Sequence, residues 1–263
     1  MARGALKAGP ALLDRVAAIA EEAGRAILRH YRTGVAVERK ADSSPVTIAD
    51  REAEALILRA LRALDPGIPA IAEEAAAAGA APAEGGERFW LVDPLDGTRE
   101  FLGETDEFTV NIALVEHGTP VLGAVHVPAL GVTYGGLAPG AAWRSRAGAA
   151  RQAITARPVP ADGPVVLSSR RHGDRERLAE LLAGMKISTH RSVGGSLKFC
   201  LLAAGEGDLY PRYGETNEWD TAAGDAVLRA AGGSVRTIDG APLCYGKAGF
   251  LNPEFIARGR DGA

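Results

Sequence analysis

The sequence predicts an α+β / α/β protein built in two parts, and three observations carry that expectation. Residues 108–136 hold three β-like segments whose connections are too short for anything but antiparallel pairing. Beyond residue 164, strand-like and helix-like segments alternate, the rhythm of a partly parallel sheet with helices against it. Ahead of both lie two stretches with apolar side chains at helical spacing. With 263 residues, 46% of them hydrophobic, the chain can bury one large core or two modest ones.

Taken in order, Leu12, Val16, Ile19, Ala23 and Ile27 give residues 12–32 the apolar stripe of an amphipathic helix. Residues 35–38 and 46–48 read as short strands on either side of the polar turn 40–45. A second helix runs from about Asp50 to Leu64, with Ala53, Leu56, Ile57, Ala60 and Leu64 on one face, and Asp65-Pro66-Gly67 stops it. Residues 68–72 form a strand leading to Glu73 and Glu74. The Ala-, Gly- and Pro-rich stretch 75–86 reads as a mobile surface loop or a frayed helix.

Residues 89–92 make a short apolar strand that runs into Asp93. The meander follows as 108–116, 121–127 and 132–136, with Gly118 and Pro120, then Pro128 and Gly131, supplying the turns. The proline-rich run 157–164 is the linker. After it come a strand at 165–167, a helix at 174–183, a strand near Ile187, a helix at 195–204, a strand at 209–213, a helix at 220–231 and a strand at 234–238. The expected parts are therefore 1–156 and 157–263, with no internal repeat.

Composition narrows the function. A formal net charge of −3 argues against a protein that grips a nucleic-acid polymer or an anionic membrane. No stretch approaches the roughly 18 apolar residues of an integral membrane segment, and Asp14 and Arg15 interrupt the first apolar run, so no signal peptide is expected. Cys200 and Cys244 supply neither a disulfide framework nor a thiolate zinc site, and the five histidines contain no H-E-x-x-H. A catalytic metal in this chain would be held by oxygen. The expected compartment is the cytosol.

The strongest local signal is Asp93-Pro94-Leu95-Asp96-Gly97-Thr98. Pro94 fixes φ and Gly97 permits a sharp approach, so both aspartates sit on one turn after a strand. Carboxylates that close repel unless protonated or neutralised by a cation. Mg²⁺ suits them, and the Leu95 carbonyl and Thr98 hydroxyl can complete its shell. Thr98 reads as the cap of a short helix through Phe101, which would turn the Gly97 and Thr98 N–H groups toward a phosphate oxygen. An Asp-Gly turn is common, and Asp93 alone would be read as one; the whole six-residue run favours metal. Glu73-Glu74 alone reads as a solvated strand end and Asp50 as a helix N-cap. Asp220 opens a helix whose Gly224 costs about 1 kcal/mol relative to Ala, which suggests close packing or a site.

Together, residues 93–98, Glu73-Glu74, residues 45–50 and residues 219–224 resemble, in order and over nearly the whole chain, the inositol monophosphatase-like superfamily of metal-dependent, lithium-sensitive phosphatases. Residues 93–101, 196–200, 209–212, 218–224 and 250–253 look more like the bacterial 3'(2'),5'-bisphosphate nucleotidases of the CysQ type, a family that removes the 3'-phosphate from adenosine 3',5'-bisphosphate. The resemblance implies a layered αβαβα sandwich of the sugar-phosphatase type. It makes Glu73, Asp93, Asp96, Asp220 and the Leu95 carbonyl the metal ligands. It makes Asp50, Glu73 and Thr98 the catalytic residues around an attacking water, with two or three Mg²⁺ ions, or Mn²⁺, per site.

The mechanism so implied needs no covalent phosphoenzyme, which matches the lack of an evident Cys or His nucleophile. The partner is a small phosphorylated nucleotide, with 3'-phosphoadenylyl sulfate a second substrate, in sulfur assimilation and nucleotide recycling. Loose association with the inner face of the cell membrane and the oligomeric state stay open.

A bisphosphorylated substrate also needs cations away from the metals. Arg170, Arg171, His172, Arg191, Lys198 and Arg212 are the candidates in the second half. The resemblance selects His172, Gly195, Lys198 and Arg212 for the nucleotide side, with Gly97, Thr98 and Asp220 also touching substrate. Lys198 is assigned to the distal phosphate. An inositol monophosphatase or a sugar (bis)phosphatase would use the same metal site and is the alternative enzyme; a non-catalytic metal- or nucleotide-sensing module is the alternative of a different class.

Overall fold

The computed structural model describes residues 6–40, 44–147, 149–170 and 174–260. The first amphipathic stretch folds as α1 (Pro10–Leu28), with Pro10 in the first turn, where its missing N–H is no loss. The helix ends at Leu28 rather than 32, and turns carry the chain on from there. β1 (Val37–Arg39) and β2 (Pro45–Thr47) pair as a small antiparallel hairpin, and α2 (Ile48–Leu64) follows directly. Buried Val16, Ala20, Ala23 and Ile27 of α1 and Ala53, Ile57 and Leu61 of α2 share one apolar cluster.

The first large sheet begins with β3 (Ala70–Ala72) and the short helix α3 (Glu73–Ala77). The Ala-rich stretch therefore starts as a helix and leaves it at Ala78. Then come β4 (Arg88–Asp96), α4 (Thr98–Leu102), β5 (Thr109–Glu116), β6 (Thr119–Val127), β7 (Val132–Leu137), β8 (Ala141–Arg146) and β9 (Gln152–Ala153). These strands lie in the order β3-β4-β5-β6-β7-β8-β9. Only β3–β4 is parallel; every later pair is antiparallel, as the short connections require.

The second half supplies β10 (Val165–Ser169), α5 (Arg175–Leu182), β11 (Thr189–Val193), α6 (Leu197–Ala203), β12 (Leu209–Arg212), β13 (Thr216–Asn217), α7 (Ala222–Ala230), β14 (Ser234–Thr237), β15 (Leu251–Asn252) and β16 (Phe255–Arg258). Its five-stranded sheet has the order β11-β10-β12-β16-β14, parallel at β11–β10–β12 and antiparallel beyond. The strand expected near Ile187 lies at 189–193 instead, with Ile187 exposed ahead of it. The proline-rich run 157–164 is tied at its start: Arg157 forms a two-pronged pair with buried Asp208, both N–O distances 2.9 Å.

The layers are α1 and α2, the seven-stranded sheet, α6 and α7, the five-stranded sheet, and α5: the αβαβα sandwich. The apolar filling around α6 and α7 draws on both halves, with Phe89, Leu91 and Val125 meeting Leu167, Phe199 and Val227. Among the described residues no helix is long and apolar enough to cross a membrane.

Candidate active site

Local chemistry sets each acidic side chain at the end of a strand or the start of a helix. In β4 the pairing with β5 matches Asp93 to Asn111 and Asp96 to Thr109, with a bulge between. That bulge accommodates Pro94, which cannot donate to a ladder, and re-aims the following residues. Gly97 then takes a left-handed conformation (φ 90°) and is the N-cap of α4. The expected cap, Thr98, is instead the first helical residue. The N-cap of α2 is likewise Thr47, not Asp50: Asp50 stands at N3 and accepts from the Thr47 N–H at 2.7 Å, a reciprocal capping box.

A cavity of about 430 Å³ opens between the two halves. Glu73, Asp93, Leu95, Asp96, Gly97, Thr98, Gly195, Lys198, Arg212 and Asp220 all line it, so the structure gathers most of the residues singled out from sequence. Asp50 is buried behind this wall and reaches it through Thr98, whose Oγ1 donates to Asp50 Oδ1 (3.2 Å) or to the Leu95 carbonyl (3.3 Å). His172 and Arg171 lie outside the described residues. Arg170 lines the cavity, donating to Glu107 (2.6 Å), whereas Arg191 is exposed on β11 and is not among the lining residues.

The carboxylates crowd one another. Burial, opposed by nearby Lys40, pushes the Glu73 carboxyl up to about 7. Burial first, then the charges of Glu73, Asp96 and Asp220, holds Asp93 well above the usual carboxylate range. Asp220 is held well above it by burial, Asp96 and Glu73, and Asp96 is raised by burial against the pull of Lys198. Glu73 and Asp93 share a hydrogen bond. Asp50 is raised by burial, while the two Thr47 donors oppose the shift.

Lys40 is the site residue that the sequence left inside a polar turn. Its ammonium stands 2.6 Å from Glu73 and 2.7 Å from Glu74, and these partners outweigh its burial and hold it above the ordinary lysine range. Glu54 supports the same wall from α2, accepting from the N–H groups of Glu74 (2.7 Å) and Ala75 (2.9 Å). On the opposite side Lys198 Nζ is buried against the Gly195 and Val193 carbonyls (2.5 and 3.2 Å) and lies 5.0 Å from the centre of the Tyr210 ring. Arg212 donates to Ser169 Oγ (3.1 Å) and the Glu215 carbonyl (2.7 Å), and its buried Nε has no partner among the described residues.

A divalent cation fits this donor set. Four carboxylates and a backbone carbonyl line one wall, all hard oxygen donors, with no sulfur or imidazole among the described lining residues. They do not form a finished shell: among the described residues no group of three stands in ready ligand geometry. The crowding that raises their proton affinities is also what a 2+ charge would relieve.

The sequence pattern of the inositol monophosphatase family matches residues 12–259. A 3'(2'),5'-bisphosphate nucleotidase CysQ of Escherichia coli strain CFT073 is 47% identical over 247 residues, 93% of this chain and 98% of that protein. Among solved structures, CysQ from Bacteroides thetaiotaomicron, a bacterial member of the inositol monophosphatase family, superposes with a TM-score of 0.78 at 33% identity, covering 96% of this chain and 98% of that one. An inositol monophosphatase from Zymomonas mobilis reaches 0.77 at 27% identity, covering 95% and 93%.

Proposed function

Because the chain belongs to the inositol monophosphatase family, we propose that it is a metal-dependent phosphatase that hydrolyses the 3'-phosphate of adenosine 3',5'-bisphosphate, giving AMP and phosphate, in sulfur assimilation and nucleotide recycling. CysQ relatives matched over 93% of the chain support that substrate. The observation that carries the reading is the cavity itself: carboxylates of the first half face Lys198 and Arg212 of the second across one space. About 430 Å³ is room for a nucleotide rather than for inorganic phosphate alone. Lys198 and Arg212 are the cations available to the phosphate that is not cleaved.

Glu73, Asp93, Asp96, Asp220 and the Leu95 carbonyl would hold Mg²⁺, with two or three ions at turnover. A metal held by them would supply Lewis-acid chemistry, withdrawing charge from the phosphoryl oxygens and lowering the pKa of the attacking water. The protein's own part begins at Asp50. Its Oδ2 is saturated by the Thr47 N–H and Oγ1, both at 2.7 Å, so Oδ1 alone serves Thr98. With its hydrogen given to Asp50, the Thr98 hydroxyl has lone pairs to accept a hydrogen from the attacking water and orient it. Burial raises the proton affinity of Asp50 and makes it a better base through that hydroxyl. Glu73, as a ligand of that metal, is the other group beside the attacking water.

Lys198 and Arg212 bind the distal phosphate, and Gly97, Thr98, Gly195 and Asp220 shape the space for the ribose and the departing phosphate.

The test is phosphate release from adenosine 3',5'-bisphosphate with Mg²⁺ and again after chelation, beside inositol 1-phosphate. Release that stops on chelation and is faster for the nucleotide is expected. No release from the nucleotide, or faster turnover of inositol phosphate, overturns the substrate.

A further inference from the structure

One buried hydrogen-bond cluster crosses between the two halves at Asp96. Opposite Asp93 and Asp96 in the β4–β5 register stand Asn111 and Thr109, two residues apart and so on the same face of β5. Ser196, just ahead of α6, meets both: its Oγ donates to Asn111 Oδ1 at 2.6 Å and lies 2.9 Å from Thr109 Oγ1. Thr109, Asn111 and Ser196 are 0%, 1% and 2% exposed, so water does not substitute for a missing partner.

The count of hydrogens makes the cluster directional. Ser196 has one hydroxyl hydrogen, and the shortest contact assigns it to Asn111 Oδ1. With its carbonyl oxygen so engaged, Asn111 turns its amide nitrogen to Asp96 Oδ2, at 3.4 Å. The single Thr109 hydroxyl hydrogen has two acceptors, Ser196 Oγ at 2.9 Å and the same Asp96 oxygen at 3.3 Å, and the Ser196 N–H also donates to that carboxylate. The chain segment is seated independently by Glu107, whose Oε2 accepts from the Gly194 N–H at 2.8 Å. The fit is close enough that a Cβ on Gly195 would come within 3.0 Å of the Glu107 carbonyl and 3.3 Å of Asp96 Oδ2, at a φ of +55°.

We propose that Ser196, seated against Thr109, is a positioning residue that acts through Asn111 on Asp96, so that a residue of the substrate-side half sets the affinity of the carboxylate wall for a divalent cation before substrate arrives. The inference rests on the metal reading above and adds Ser196, Asn111 and Thr109 to it. Without the Ser196 hydroxyl, Asn111 Oδ1 is left buried and unpaired, and its amide is free to turn away from Asp96. Partners of this kind, one bond removed from a metal ligand, change metal affinity by about 10- to 100-fold when deleted.

The experiment is Mn²⁺ binding to substrate-free, chelator-treated full-length protein, followed by loss of the free-ion electron paramagnetic resonance signal. Ser196→Ala is expected to bind Mn²⁺ roughly tenfold more weakly than wild type, with an unchanged circular dichroism spectrum. Thr109→Val, isosteric but without the hydroxyl, is expected to lose affinity in the same direction, and Thr109→Ser to restore it. If Ser196→Ala does not fold, the Thr109 pair decides. Wild type that binds Mn²⁺ beside a folded Ser196→Ala that binds within twofold of it overturns this inference alone. Wild type that binds no Mn²⁺ overturns the metal reading beneath it.

Discussion

Gly224→Ala tests whether α7 lies as close to α6 as the site geometry requires. An added Cβ would stand 2.6, 2.7 and 2.8 Å from Cδ2, Cγ and Cβ of Phe199. Ordinary contact begins near 3.4 Å, so the ring or the helix must shift by about 0.8 Å. Neither has an open direction. Phe199 is 1% exposed, with ring centroids 5.3 Å from Tyr210 and 5.9 Å from Phe255.

Overpacking of this kind costs about 1–3 kcal/mol, and three trapped contacts place it at the upper end. The helix gains about 1 kcal/mol when Ala replaces Gly. The net is a loss of about 2 kcal/mol, or roughly 4–8 °C in melting temperature for a chain of this size. The same shift moves Lys198, next to Phe199, so the Michaelis constant for the bisphosphate rises along with the loss of stability. Thermal melting with steady-state kinetics reads both. Adding Phe199→Leu to Gly224→Ala makes room for the methyl group and recovers part of the loss. A Gly224→Ala protein that melts at or above the wild-type temperature refutes the close approach, because helix propensity would then be the only effect present.

Three further outcomes follow from other contacts. Asp96→Asn keeps the fold, since it removes one of several crowded charges, and abolishes metal-dependent phosphate release; wild-type turnover by the folded variant counts against the assignment. Lys198→Ala raises the Michaelis constant of a bisphosphate about tenfold, the loss of one charge-assisted contact, with less effect on a monophosphate; equal losses on both refute a distal-phosphate role. His126, 7% exposed and bonded to Thr133 (3.0 Å), is lowered to about 4, chiefly by burial. Its contribution is present above the unfolded value near 6.5 and is lost as pH falls toward 4, up to about 3 kcal/mol. His126→Gln should therefore lose less melting temperature than wild type between pH 7 and 4.5, and parallel curves would contradict that.

How much of this was legible depended on how local each cause is. The turn at 93–98 announced itself because both aspartates, the proline and the glycine are contiguous. The cap of α2 was legible too, in Thr47-x-x-Asp50, but the more familiar reading of Asp50 as the cap concealed it. β11 could not be read, since its Thr-His-Arg-Ser-Val run is exposed at every position but the last and shows no apolar alternation. β8 and β9 were missed for a similar reason, carrying arginines or glutamine where a core strand would be apolar, whereas β16 is apolar at Phe255, Ile256 and Ala257 but only four residues long. Lys40, Thr109 and Asn111 have no local signature at all. Their partners lie 33 residues on for Lys40, and 87 and 85 residues on, both at Ser196, for the other two, so only the folded chain assigns them.

A net charge of −3 says little about a site that separates its charges. Crowding Asp50, Glu73, Asp93, Asp96 and Asp220 together is unfavourable unless each has compensation, and here the backbone provides part of it. Asp50 is the third residue of α2, Glu73 is the first of α3, Asp96 lies two residues before α4, and Asp220 lies two before α7. Each acid thus stands where unpaired N–H groups gather at a helix start, the end that favours negative charge. Two further N–H groups help: Asp220 Oδ2 accepts from the Asn217 N–H at 2.9 Å across the 3-10 turn 218–220, and Asp93 accepts from the Leu95 N–H at 3.0 Å within β4. Lys40 on one side and Lys198 on the other add full positive charges within reach of Glu73 and Asp96. The helix starts thus limit the cost of holding these acids side by side.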